Sequence, residues 1–551
     1  MDTTRELLRQ SPGRRHDLDA LRAFAMFLGV LLHAALSFTG SPWIIRDSRS
    51  APWLGVLTTG VHGFRMELFF LVSGFFTAML CRRRGVAGML KNRALRILIP
   101  CLLGLATIQP LTGWVIGKVN PPAGPRPDSD LVQAVRAGET EEVVNLLQAG
   151  GNPSEAEENH GMRLITIAAY AGHADIVRLL LDRGVDPDSV NRSGSRPLHA
   201  AALVGKPPVA ELLLDRGADP LAKNGSGATP LELTRADEEF TRGLTGSIGI
   251  PAGPWPQVEQ GRARVRELLA KRTGIDPEAA KPPASKSPKA ATWLDRYQEF
   301  LAADFWKVPW GDGQVHLIYT GVFGHLWFLW DLCWLLALYA IAARTGLFPG
   351  LTGVPRLGLG SGTLIAVALS LATNIPMHIG GPGFGPDTTS GWIPAPHLLV
   401  HYAVYFFFGA FYYSHAAGAD RLGGWWPACL AVALLLLLPG GMVAMGNRWL
   451  DVPLQTAYCW LMIAGLMGLF HRYLGSESPA VRYLSDSSYW CYLIHMVPVF
   501  ALQGLVRDWP LPADLKFGLV ALSVTLILLA TYQLLVRQTP IGWLLNGPRK
   551  G

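Results

Sequence analysis

About ten runs of mostly apolar residues, each close to the roughly 20 needed to cross a bilayer as a helix, constrain this chain more than anything else in it. They lie near 18–40, 60–80, 96–117, 323–343, 361–378, 398–415, 425–445, 454–472, 488–507 and 515–536. The run at 361–378 is the weakest, because Asn374-Ile375-Pro376-Met377 interrupts it. Charged residues make up 16% of the chain, against roughly 25% in soluble proteins, and mean hydropathy is +0.25. Most of the charge sits in 1–22, 81–96 and about 120–310. The pattern is that of a membrane body carrying one soluble insert.

Lysine and arginine set the direction of insertion. Arg5, Arg9, Arg14 and Arg15 flank the first run, and Arg82, Arg83, Arg84, Lys91, Arg93 and Arg96 follow the second. Both flanks are therefore expected in the cytoplasm. Arg344, Arg356, Arg421, Arg472, Arg482, Arg537, Arg549 and Lys550 fall on the same side, whereas 379–397 has no Lys or Arg. Both termini are expected inside, and the insert, after a third outward-going span, outside. In a bacterium this means the inner membrane, with the insert in the periplasm. The late, long first run without a small-residue cleavage site reads as a span and not as a cleavable signal. The net charge of +7 reads as topogenic, and nucleic acid is not an expected partner. Six cysteines lie in or beside apolar runs with no metal or redox spacing, so no metal is expected.

The insert repeats with a period near 33. Gly161, Gly194 and Gly227 mark it, as do Pro153, Pro187 and Pro220. LLQAGGNP, LLLDRGVDP and LLLDRGADP recur, and Pro197-Leu198-His199-Ala200-Ala201 has the ankyrin P-L-H-x-A form. Proline opens a helix at no hydrogen-bond cost, and glycine closes one in the left-handed conformation. About three and a half repeats at 128–240 are expected, followed by a Pro/Ala/Lys/Ser linker. The organisation is then 1–120 membrane, 121–275 ankyrin insert, 276–310 linker and 311–551 membrane. The fold class is all-α: a polytopic membrane helix bundle with an inserted ankyrin-repeat α-solenoid. The array itself binds a protein partner or caps a neighbouring surface.

Ionisable groups inside spans are costly and mark function. Arg22 and His33 are eleven steps apart, three turns plus about 20°, so they share one face of the first helix about 16 Å apart. Glu67 in the second span is an expected partner of Arg65 or His33. Arg93 and Arg96 open the third span with forks suited to phosphate. His325, Trp327, Trp330 and Asp331 open the fourth, and His495 reads as a buried histidine midway along the ninth.

The phrases DALRAFAMFLGVLLH, FRMELFFLVSGFF, KNRALRILIP, GHLWFLWDL and YLSDSSYWCYLIHMVPV, taken in order, resemble the acyltransferase-3 family of membrane acyltransferases. Two of them look most like its glucan-succinylating branch. The resemblance implies about ten spans and transfer of an acyl group, acetyl or succinyl, from cytoplasmic acyl-CoA to a glycan hydroxyl on the outer side. It places the family's Arg-x10-His pair on Arg22 and His33 and its basic motif on Arg93 and Arg96. The ankyrin insert departs from the family's short connection at that point.

These readings combine into O-acyl transfer without a bound cofactor. His33 is the expected general base and Arg22 its catalytic partner, with Glu67 holding or tuning His33. Arg93 and Arg96 bind the donor, and Trp327, Trp330 and His325 face the acceptor. Without a serine nucleophile elbow or a metal motif, direct transfer is favoured over an acyl-enzyme. A transporter or flippase uses the same polar residues as a pathway, and a scaffold uses the array alone. The partners expected are the bilayer, acyl-CoA, a glycan and a protein docked on the repeats.

Overall fold

A lipid environment leaves the backbone no solvent to bond, so helices that satisfy themselves are the expected solution. The computed structural model describes residues 15–41, 43–120, 129–157, 161–191, 193–276, 293–310, 313–346, 358–377, 383–415, 422–445 and 447–547. Arg5, Arg9, Arg14, Arg356, Arg421, Arg549, Lys550 and residues 277–292 of the expected linker lie outside these residues. The chain separates into two compact units, 1–121 with 293–551, and 122–292.

Among the described residues of the first unit, six helices are long and apolar enough to cross a membrane, and a bent pair makes seven. One of the six, Pro52–Val119, has 68 residues. At 1.5 Å per residue it would be about 100 Å long, over three times a bilayer core. It contains the Arg82–Arg84 cluster, and Gly85 takes a non-helical φ of 69° and ψ of 173°. It therefore serves as two spans. The Leu359–Asn374 helix has only 16 residues, and Pro396–Ser414 is diluted by histidine and tyrosine. A described helix thus lies at each of the ten expected runs, six or seven of them long and apolar enough to count as spans on their own. Two short antiparallel strands, Lys307–Trp310 and Gly313–His316, precede the fourth span.

The second and sixth spans pack backbone to backbone. A side chain at Gly74 would run into the Phe406 carbonyl, and one at Gly409 into the Leu71 carbonyl. Small residues permit this approach where lipid offers no hydrophobic drive between helices. The first span, His16–Leu36, lies among the second, eighth and ninth.

After the first span, residues 37–41 and 43–51 fold back over its end. The Ser37 hydroxyl donates to the Ile45 carbonyl at 2.6 Å, and Ile45 is fully buried. Asn120 donates to the Ile44 carbonyl at 2.8 Å. Lys516 donates to Asp47 and to the Arg507 carbonyl, each at 2.7 Å. The Asp47 and Lys516 side chains are 0% and 1% exposed, so this ion pair is closed to solvent.

The second unit is a stack of helix pairs: Asp130–Ala137 with Thr140–Gln148, Leu164–Ala171 with Ala174–Asp182, Pro197–Leu203 with Pro207–Asp215, and Pro230–Leu233 with Glu238–Ser247. Gly150, Gly184 and Gly217 close the second helices at φ of 98°, 81° and 89°, as the repeat required. His199 is structural. Its Nδ1 accepts the Arg196 backbone N–H at 3.2 Å, and its Nε2–H is shared by the Ala222 and Ala228 carbonyls at 3.1 Å. A helix without a repeat signature, Trp255–Thr273, closes the stack. Its fully buried Arg262 donates to the Leu203 and Ala236 carbonyls and to Thr241, and lies 4.8 Å over Trp255.

Two outcomes follow from these contacts. Removing one member of a buried ion pair strands the other charge, so Asp47→Asn should cost about 3–5 kcal/mol, and Asp47→Ala with Lys516→Met should recover most of it. Thermal unfolding of the full chain in detergent measures both. Burial pushes His199 below its ordinary value of 6.5. The folded insert thus holds a neutral imidazole, and that stability is present above 6.5 and lost as pH falls through the lower folded value. The insert's unfolding midpoint should drop between pH 7 and pH 5, and a flat profile would contradict this account.

Candidate active site

Pro498 lacks the N–H that a continuous ninth span would require and disfavours a straight helix. The span breaks there into Pro479–Ile494 and Met496–Val506, bent by 66°, with His495 at the break. The last carbonyls of a helix have no partner in that helix. Two of them are taken by imidazoles: Tyr492 O by His495 Nδ1 at 2.7 Å, and Leu493 O by His325 Nε2 at 2.8 Å. Tyr492 returns its hydroxyl to the His325 carbonyl at 2.7 Å.

These bonds fix the protons. A carbonyl only accepts, so neutral His495 carries its hydrogen on Nδ1 and leaves Nε2 as an acceptor. His33 Nδ1 stands 3.0 Å from that Nε2 and must donate to it. The His33 Nε2 then keeps its lone pair, with no hydrogen-bond partner among the described residues. His33, His325, His495, Arg65, Trp327 and Tyr492 line one cavity of about 50 Å³, room for a few water molecules.

The backbone at the C-terminal end of the first span, beside His33, is held as well. Gln503, fully buried, donates to the His33 and Ala34 carbonyls at 2.8 and 3.3 Å. It accepts the Trp43 indole N–H at 3.1 Å. Trp43 stacks between His33 and Phe500, with ring centroids 6.0 and 5.7 Å away. The folded-back segment thus supports the imidazole.

The other expected site residues fall into three places. Arg22 and Arg93 meet at the opposite end of the first span. Arg22 donates to Ser485 Oγ at 3.3 Å and lies 3.5 Å from Asp19, and Arg93 donates to Thr77 Oγ1 at 3.2 Å. Arg93 is within electrostatic reach of both Arg22 and Arg96. Arg96 sits in a π-helical turn, Ala94–Leu98, and its carbonyl accepts the Tyr489 hydroxyl at 2.8 Å. His325 and Trp327 join His33 in the cavity. Trp330 does not: its N–H goes to the Trp392 carbonyl at 2.8 Å, and its ring stacks on Phe323 at 4.7 Å.

The expectation that Glu67 holds His33 is corrected. Glu67 is two residues beyond Arg65, about 200° round the helix, and faces elsewhere. Its Oε1 lies 3.7 Å from His401 Nε2, and both side chains are buried. The group that holds His33 is His495, expected only as a buried histidine midway along the ninth span. The signal was present in Pro498, three residues on. Arg65, expected as a partner of Glu67, lines the cavity.

A base with a free lone pair, a cationic wall and a cluster of arginines at the other membrane face suit group transfer across the bundle. Residues 15–140 and 289–532, more than half of the chain, match the family described as the acyltransferase domain. Residues 131–224 match three copies of the ankyrin repeat. Glucans biosynthesis protein C of Escherichia coli (strain K12) is 35% identical over 92 residues, 17% of this chain and 24% of the relative. Its namesake in Escherichia coli O9:H4 (strain HS) is 34% identical over a stretch of the same length. The chain therefore spans about a quarter (24%) of the length of these relatives. With the bundle of apolar helices and the two separated matching segments, the chain belongs to the acyltransferase-3 family of membrane proteins, its acyltransferase domain interrupted by an ankyrin array.

Proposed function

We propose that the chain transfers an acyl group from a cytoplasmic acyl-CoA to a hydroxyl of an envelope glycan. The observation that carries this reading is the His33 Nε2 lone pair, left free in the cavity by the chain from His33 to His495 to the Tyr492 carbonyl. The acceptor hydroxyl gives its proton to that nitrogen as its oxygen attacks the thioester carbon. The carbonyl π pair moves onto oxygen. Collapse re-forms the carbonyl and breaks the C–S bond, and the thiolate leaves with the proton from His33. His495 is the orienting group. It fixes the tautomer without touching substrate.

Arg22, Arg93 and Arg96 bind the donor's phosphates from the cytoplasmic side, since guanidinium forks suit phosphate oxygens. Trp327 and His325 border the acceptor. The glycan reading draws on the name of the glucans biosynthesis relatives. The lysine and arginine bias supports an inner-membrane protein with both termini in the cytoplasm and the array in the periplasm, where a glycan or envelope protein would meet it.

His33→Ala should lower acyl transfer by about 10²–10⁴-fold with normal expression. His495→Phe should lower it by about 10²-fold, because the tautomer is no longer set. Radiolabel passing from acyl-CoA to glycan in membranes measures both, and full activity in His33→Ala would remove this mechanism. Flux of substrate without group transfer would favour a transporter. A reporter fused near residue 225 should read as periplasmic, and a cytoplasmic signal would put the array and His33 on the wrong sides.

A further inference from the structure

Two arginines of this chain, Arg262 fully buried and Arg65 half-buried, are treated in opposite ways. Arg262 spends its Nε, Nη1 and Nη2 on two carbonyls and a hydroxyl, as a structural arginine should. Arg65, inside the membrane unit, makes no hydrogen bond or ion pair among the described residues, and its enclosed Nε is unpartnered. Glu67, Tyr402 and Tyr492 lie within electrostatic reach of it, but none pairs with it. A guanidinium held at such a place without a hydrogen bond is costly, and stability alone would not keep it.

The local packing keeps it there. The Arg65 Nη1 lies against Gly29, and any side chain at Gly29 would collide with it. Gly29 is four residues before His33 and so on the same face of the first helix. The guanidinium thus rests one turn from the His33 imidazole, in the same cavity. The nearest carboxylate in sequence, Glu67, is turned to His401. His33 and His325 have their ring N–H groups committed to His495 and to Leu493. The cavity therefore offers one base and one unspent cation.

We infer that Arg65 is a catalytic residue that receives the negative charge developing on the acyl carbonyl oxygen. The inference rests on the acyl-transfer reading above. As the acceptor oxygen bonds to the carbonyl carbon, the π pair becomes an oxyanion, and Arg65 N–H groups donate to it. When the C–S bond breaks, the charge leaves with the thiolate and Arg65 is again unpaired. A charge matched only in the transition state raises kcat and leaves ground-state binding unchanged.

The test uses the purified full chain in lipid nanodiscs, with labelled acetyl-CoA and a linear glucan oligomer as probes. Arg65→Met should lower kcat by about 100-fold or more, with both KM values nearly unchanged and a thermal midpoint equal to or above that of the parent. Arg65→Lys should keep part of the activity. Gly29→Ala should lower kcat with the charge retained, because it displaces the guanidinium. Arg65→Met with near-parental kcat, a loss expressed in KM alone, or a fall in thermal midpoint would each overturn the inference. No turnover by the parent chain, or equal turnover by His33→Ala, would instead sink the acyl-transfer reading and the inference with it. Turnover lost in His33→Ala and kept in Arg65→Met would sink the Arg65 role alone.

Discussion

The hydrogen bond between His33 and His495 joins the first span to the ninth, and the geometry of the site depends on it. It requires that the ninth span be broken. In a straight helix the Tyr492 and Leu493 carbonyls would be spent on N–H groups one turn ahead. The bend before Pro498 releases them, and two imidazoles are oriented by what is released. A defect in one helix thus sets the proton positions of three histidines. The same break brings Gln503 under the His33 and Ala34 carbonyls, so one bent span holds both the ring and the backbone of the candidate base.

Much of this was legible in the sequence wherever the signal is local. Apolar length gave the spans, and a 33-residue period gave the array. Arg22 and His33 were placed on one face by helical arithmetic. Their separation along the axis is kept as well, since Arg22 sits with Arg93 and Ser485 while His33 sits with His495. The segment YLIHMVPV was also visible, but proline marks a kink without giving its direction. Which carbonyls a bend frees, and which side chains reach them, depends on neighbours hundreds of residues away.

The insert shows the same division. His199 lies in a local motif whose hydrogen bonds are set within about 30 residues, and its structural role could be read directly. The Trp255–Thr273 helix has no repeat signature. It is recognised as a cap only because Arg262 reaches back 59 residues to the Leu203 carbonyl. Stacked repeats leave a hydrophobic end that must be covered, so a cap was required by physics even where its sequence was silent.

Arg65 and Glu67 carry the last step. Oppositely charged residues three or four apart on a helix face each other and neutralise; residues two apart do not. With that spacing the second span directs a cation to the His33 cavity and a carboxylate to His401. His401 is itself anchored, its Nδ1 3.0 Å from the Thr373 hydroxyl, which in turn donates to the Ser370 carbonyl at 3.2 Å. Glu67 therefore lies toward His401 on a neighbouring helix, within electrostatic reach of Arg65 but not paired with it. Had the carboxylate stood at position 68 or 69, it would have lain beside the guanidinium and paired with it directly, in a medium where such a pair is hard to separate. The spacing of two is what lets one helix bring both charges into the membrane and leave one of them available.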